Sequence, residues 1–144
     1  MLDSIALRFQ KFTPLFLRFG LATVFLLFGV QKLMNPSQTT AEIQLLLSFE
    51  LADAAAISFY MGLFEILIAL AFIIGLKVRF SALIASMLIS MLFISFLVKY
   101  GFSINPDLYR DIGLLGASLA LFFLGAGPWS IDSLLRKKEH EQIS

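Results

Sequence analysis

The last apolar stretch of the chain, residues 109–132, reads YRDIGLLGASLALFFLGAGPWSID. After three polar residues come sixteen residues, 112–127, in which no side chain is charged and only Ser118 is polar. The stretch breaks at Gly127-Pro128, because a proline ring does not fit inside a continuing helix. A long uncharged run of this kind is typical of a membrane-spanning helix. It predicts the last of four spans, closed by a sharp turn.

The composition of the whole chain also indicates a membrane environment. Of its 144 residues, 59% are hydrophobic and only 15% are charged, whereas soluble domains have about 25% charged residues. The net charge of +1 gives no support to nucleic-acid binding. There is no cysteine, which excludes a thiolate metal site and a CxxC redox pair, and the only histidine, His140, lies in a charged tail. We therefore predict a lipid bilayer as the surroundings, no metal site and no identifiable cofactor.

The apolar runs predict a single domain over residues 1–144, built as an antiparallel four-helix transmembrane bundle. Its spans cover about residues 14–33, 54–76, 80–98 and 109–127. The basic amino end resembles a signal peptide, but no cleavage site follows it, so it is interpreted as an uncleaved first span. Between the first two spans, a mixed segment at about 37–50 indicates a short interfacial helix. Residues 133–144 form a charged tail.

The distribution of lysine and arginine predicts that both termini are cytoplasmic. Three basic residues flank the spans on the opposite side: Lys32, Lys99 and Arg110. Seven lie at the ends predicted to share the cytoplasmic side with the termini: Arg8, Lys11, Lys77, Arg79, Arg136, Lys137 and Lys138.

Glu65 is the most informative single residue, because it lies eleven residues from either end of the second predicted span. An ionised acid at that depth is costly, so it must be paired, hydrogen-bonded or protonated. It is either a carboxylate that handles a proton or grips a ligand, or a polar contact that joins two helices. The sequence favours neither.

Arg18, within the first span, is the expected partner of Glu65. By residue count the two lie about 10 Å apart in depth, which a long arginine side chain nearly covers. Arg18 snorkelling outward to lipid phosphates is the alternative. Arg110 and Asp111 open the fourth span, where Asp111 either complements the helix dipole or joins a polar track with Arg18 and Glu65.

Small residues recur at helical spacing in the fourth span, at Gly113, Ala117 and Ala120. Such a face permits close approach of a neighbouring helix. We predict that these three residues pack against another helix of the chain.

The chain resembles the DoxX family of small four-span bacterial membrane proteins over almost its whole length. The first span carries RFGLATVFLLFGVQK, and the last ends in GAGPWSID, close to the family pattern Gly-Pro-Gly-x-x-Ser-x-Asp. Ala126 stands in place of the family proline, and a proline follows at 128 instead. The matching positions are Gly20, Gly29, Lys32, Gly75, Arg79, Gly125, Gly127, Ser130 and Asp132.

The resemblance implies a protein of the bacterial inner membrane and, as in some family members, a membrane subunit or anchor of a redox or quinone-linked complex. Without cysteine or a histidine among the spans, the chain would shape a quinone site or anchor a redox partner protein rather than carry a redox centre itself. It is thus at most a non-catalytic subunit of an oxidoreductase. Two alternatives stay open. One is a small-molecule or proton-coupled carrier that uses Glu65 and forms a homo-oligomer. The other is a scaffold or assembly factor.

Overall fold

The computed structural model describes residues 2–36, 54–101 and 106–143, and all regular secondary structure in these ranges is helical. A short amino-terminal helix and a 3-10 turn precede the first long helix, and a final helix follows the last apolar run. The elements are α1 (Leu2–Phe9), the 3-10 turn (Gln10–Phe12), α2 (Thr13–Met34), α3 (Ala54–Ile74), α4 (Val78–Tyr100), α5 (Pro106–Leu124) and α6 (Ile131–Ile143).

Three helical stretches within the described ranges are long and apolar enough to cross a membrane. They are Asp3–Met34, Ala54–Ile74 and Val78–Val98. The predicted all-α membrane class is confirmed to that extent. Helix α5 is 19 residues long and begins with three charged residues in its first six, Asp107, Arg110 and Asp111. The fourth span stays a prediction.

The helix ends differ from the predicted spans where glycines stop them. Helix α2 matches residues 14–33 to within one residue at each end, but α3 ends two residues before residue 76 because Gly75 takes a left-handed conformation, with φ of 71°. Helix α4 extends two residues beyond its predicted span at both ends. Helix α5 lies three residues earlier than predicted and stops before Gly125, at φ of 78°. The predicted interfacial segment at 37–50 lies outside the described residues.

The long helices pack side by side with small residues in their contacts. Helix α2 lies along α3 and also touches α5, while α4 packs against α5 and α3. Buried alanines let the helices approach, and the rings of Phe25 and Phe72 meet edge to face with centroids 6.3 Å apart. Many large apolar side chains on the outer faces are exposed, as lipid contact requires.

The predicted small face of the last apolar helix is only partly correct. Ala117 packs on the core, but Gly113 is exposed and no atom of the described residues lies within 4 Å of the position its Cβ would take. The buried side of α5 instead carries Asp111, Ser118 and Leu121. A serine is small enough for close packing, and Ser118 satisfies its hydroxyl on the Leu114 carbonyl at 2.8 Å.

Candidate functional site

Two glycines set the distance between α2 and α3. A Cβ on Gly29 would lie 2.6 Å from the carbonyl oxygen of Gly62, and one on Gly62 would lie 2.9 Å from the Cβ of Lys32. Only hydrogen atoms fit at this crossing, so the two backbones meet more closely than other residues allow. Three residues after each glycine, on the same side of its helix, stands a charged residue: Lys32 on α2 and Glu65 on α3.

Lys32 and Glu65 form an ion pair at this crossing. The ammonium Nζ of Lys32 donates to both carboxylate oxygens of Glu65, at 2.9 Å to Oε1 and 2.8 Å to Oε2. The Glu65 side chain is 2% exposed and that of Lys32 is 14% exposed. A buried carboxylate is thus fully matched by one cation, and the cation keeps an opening to the surface of the protein.

The predicted pairing of Arg18 with Glu65 is wrong. Arg18 is 1% exposed, so it does not snorkel either, and its guanidinium binds four backbone carbonyls instead of a carboxylate. It donates from Nε to Phe72 (2.8 Å), from Nη2 to Ile73 (2.9 Å), and from Nη1 to Ala126 (3.1 Å) and Trp129 (3.3 Å). We call this arrangement the Arg18 cluster.

The Arg18 cluster explains why Arg18 is buried without a carboxylate partner. Carbonyls in the last turn of a helix lack intrahelical partners, and Phe72 and Ile73 lie in the last turn of α3. The turn after α5 adds two more unpaired carbonyls at Ala126 and Trp129. A planar guanidinium with five donors can serve all four, which a carboxylate partner would prevent.

Several glycines make room for the Arg18 cluster. A Cβ on Gly75 would lie 2.6 Å from Nη2 of Arg18, and a Cβ on Gly127 would lie 2.8 Å from the Cβ of Pro14. A Cβ on Gly125, the residue after α5, would lie 3.1 Å from Nε of Arg79. All three have positive φ, so both the space and the backbone conformation require glycine.

Asp132 and Ser130 close the same end of the molecule. The carboxylate of Asp132 accepts from the amides of Lys77 (2.7 Å) and Val78 (2.9 Å), which are free donors at the start of α4. Ser130 Oγ accepts from the amide of Ser133 at 3.1 Å and so caps α6. These residues hold three chain segments together.

At the opposite end of α2, the remaining candidates lie near the ion pair. The Nζ of Lys32 lies 5.6 Å from the centroid of the Phe28 ring. The Cζ of Arg110 lies 4.7 Å from the same centroid. Arg110 also pairs with Asp111 at 3.1 Å. The structure therefore joins Glu65, Arg110 and Asp111 through Lys32 and Phe28, and separates them from Arg18, which lies about 21 Å from Lys32 along α2.

Sequence reasoning missed two members of this site. The first is Lys32, predicted as a basic residue of the non-cytoplasmic side and a family position, although the matching Gly-x-x-Lys and Gly-x-x-Glu spacings signal a pair at a close crossing. The second is Ser58. It is fully buried on the same face of α3, seven residues before Glu65, and among the described residues its hydroxyl has no hydrogen-bond partner.

Comparison with known proteins settles the family. The DoxX family model matches residues 13–99, which is more than half of the chain. The chain belongs to the DoxX family. No curated protein and no solved structure matches it.

The DoxX match includes both ends of α2 but stops before the turn that follows α5. It covers Arg18, Gly29, Lys32 and Glu65, so both buried charge centres begin within the family domain. Gly20, another position of the DoxX pattern, is exposed, and no described atom lies within 4 Å of its added Cβ. Nothing in the structure explains the glycine there.

Proposed function

We propose that the chain is a four-span protein of the bacterial inner membrane with both termini in the cytoplasm. The packing of α5 against α4 and α2 supports a fourth span, since its residues 112–124 carry no charge. The seven basic residues counted for the cytoplasmic side belong to α1, the 3-10 turn after it, the α3–α4 turn with the start of α4, and α6. These segments adjoin the Arg18 cluster, and basic residues concentrate on the cytoplasmic side of membrane proteins.

In function, the protein is a membrane subunit of a redox or quinone-linked complex, and the Lys32–Glu65 pair is the site that meets the quinone. The observation that carries this is the pair itself. A buried ion pair is a poor source of stability, because apolar side chains of similar size serve as well or better. A lysine and a glutamate kept at a glycine crossing therefore indicate a binding or proton-handling role.

The residues of the site fit a quinone head group. Quinone oxygens accept hydrogen bonds, and Lys32 is a donor with part of its surface open. The buried hydroxyl of Ser58, about 10 Å along α3 from Glu65, is a second donor without a partner among the described residues. The exposed apolar faces of the helices suit an isoprenoid tail.

Each residue has a distinct task in this function. Lys32 orients an oxygen of the head group and keeps Glu65 charged when the site is empty of ligand. Glu65, released from Lys32 by the incoming oxygen, can hold the proton that quinone chemistry takes up or gives off. Phe28 and Arg110 border the opening beside Lys32. The redox centre itself belongs to the partner protein.

Thermal unfolding in mild detergent with a short-chain quinone analogue tests this function. The analogue should raise the Tm of the wild type by mass action, and Lys32→Gln should lose most of that rise. Lys11→Gln, the same change at the other end of the molecule, is the matched control and should keep it. Since Lys32→Gln leaves Glu65 without a cation, the neutral double variant Lys32→Gln/Glu65→Gln serves where the single variant does not fold.

A rise in Tm with the quinone analogue that persists in the double variant would contradict quinone binding at the Lys32–Glu65 pair. pH-dependent uptake of a solute into liposomes, lost in Glu65→Gln, would favour a carrier instead. A copurifying partner without any quinone effect would favour a scaffold.

A further inference from the structure

A groove of about 550 Å³ opens at the Arg18 end, between the end of α3 and the first turns of α6. Its apolar wall includes Ile74, Trp129 and Leu134, and its polar edge includes Ser133 and Lys137. It shares no residue with the Lys32–Glu65 site, so what it binds is independent of the quinone function.

The charges around the groove favour an anion. The Ser133 hydroxyl already donates to the Ser130 carbonyl at 2.8 Å, so the donor available to a ligand is the Lys137 ammonium. Among the described residues, no acidic side chain lines the groove and none forms an ion pair with Lys137. Arg136 and Lys138 are its neighbours in the sequence of α6, and neither lines the groove.

The apolar wall of the groove continues into a surface that lipid covers. Trp129 is 78% exposed and Leu134 is 62% exposed. Ile74, Ile73 and Leu70 continue the exposed apolar side along α3, within one of the candidate spans. A ligand that is anionic at one end and apolar along the rest matches both parts.

Trp129 occupies a conformation that a bulky side chain rarely adopts, with φ of 60°. Its carbonyl accepts from Arg18, and its ring meets Phe12 edge to face with centroids 6.2 Å apart. A glycine would supply the same backbone turn without strain. A residue that keeps a strained backbone conformation usually has a role. Tryptophan is enriched at the level of lipid head groups.

We propose that this groove binds one anionic phospholipid of the surrounding membrane. The lipid phosphate lies at Lys137, the glycerol region lies beside Trp129, and an acyl chain runs along Leu134 and Ile74. The binding fixes the depth of α6 at the membrane surface and favours anionic over zwitterionic lipid.

The test adds phosphatidylglycerol or phosphatidylcholine to the full chain in neutral detergent and measures the Tm and, by native mass spectrometry, the lipid retained. Wild type should show a larger Tm rise and more retained lipid with phosphatidylglycerol. Lys137→Gln should lose that preference. Lys138→Gln removes the same charge from the neighbouring residue, which does not line the groove, and should keep it.

Trp129→Gly separates binding from folding. It relieves the backbone strain, so its Tm without lipid should equal or exceed that of the wild type, while its response to phosphatidylglycerol should fall. Equal losses in Lys137→Gln and Lys138→Gln would show diffuse attraction by the tail and overturn the groove. An undiminished response in Trp129→Gly would overturn it too, as would the same Tm rise with inorganic phosphate alone.

Discussion

Arg18 is a buried cation and Lys32 a partly buried one on the same helix, α2, yet their surroundings differ in kind. Arg18 binds four neutral carbonyls that come from the end of α3 and from the turn after α5. Lys32 binds one carboxylate from one helix and stays partly open. Carbonyl acceptors are fixed by the course of the backbone and cannot exchange for a ligand. A single carboxylate can release its cation, so the Arg18 cluster maintains the fold and the Lys32–Glu65 pair is where function is expected.

The largest effect should follow from Arg18→Leu. It leaves four buried or partly buried carbonyls without their donor, and each unsatisfied group costs about 1–3 kcal/mol. We expect a loss of at least 3 kcal/mol, by order of magnitude, in the free energy of unfolding measured by SDS titration in mixed micelles. Arg18→Lys should recover only part of it, because an ammonium lacks the planar fork of donors.

Arg8→Leu is the matched control, since Arg8 is exposed on α1. If Arg18→Leu unfolds at the same SDS fraction as Arg8→Leu, the Arg18 cluster does not hold the fold.

A smaller effect should come from Gly29→Ala at the α2–α3 crossing. The new Cβ would lie 2.6 Å from the Gly62 carbonyl oxygen, so the helices must move apart at a cost of roughly 1–3 kcal/mol. The Lys32–Glu65 pair, one turn away, should loosen with them, and the Tm rise with a quinone analogue should shrink.

Gly113→Ala is the matched control, because the added methyl group at this position meets no other helix among the described residues. It should stabilise α5 by up to about 1 kcal/mol, because alanine has the higher helix propensity. Equal effects at Gly29 and Gly113 would show that the crossing is not close.

Much of the fold was predictable because apolar runs and glycine or proline breaks act locally. The bounds of helix α2 agree with the prediction to within one residue, with Pro14 in its first turn and Asn35 after its end. The ends of α3 and α5 were less accurate, because Gly75 and Gly125 stop the helices through a left-handed conformation that sequence alone does not reveal.

The partners of the buried charges depended on long-range geometry. Residue counting placed Arg18 near one end of its helix, but nothing local indicated that carbonyls separated from it by 54 to 111 positions would surround it. The partner of Glu65 was predicted wrongly, although the sequence held a signal for Lys32. Glycines three residues before both Lys32 and Glu65 were present in the sequence, and a close crossing needs such a pair.

The most direct test of this difference between Arg18 and Lys32 is a pair of double-mutant cycles on the free energy of unfolding. Glu65→Leu and Lys32→Leu should each destabilise the protein, and the double variant should recover part of the loss, with a coupling energy of at least about 0.5–1 kcal/mol. The cycle of Glu65→Leu with Arg18→Leu should be additive within about 0.5 kcal/mol. Coupling of Glu65 to Arg18, together with additivity between Glu65 and Lys32, would contradict the account.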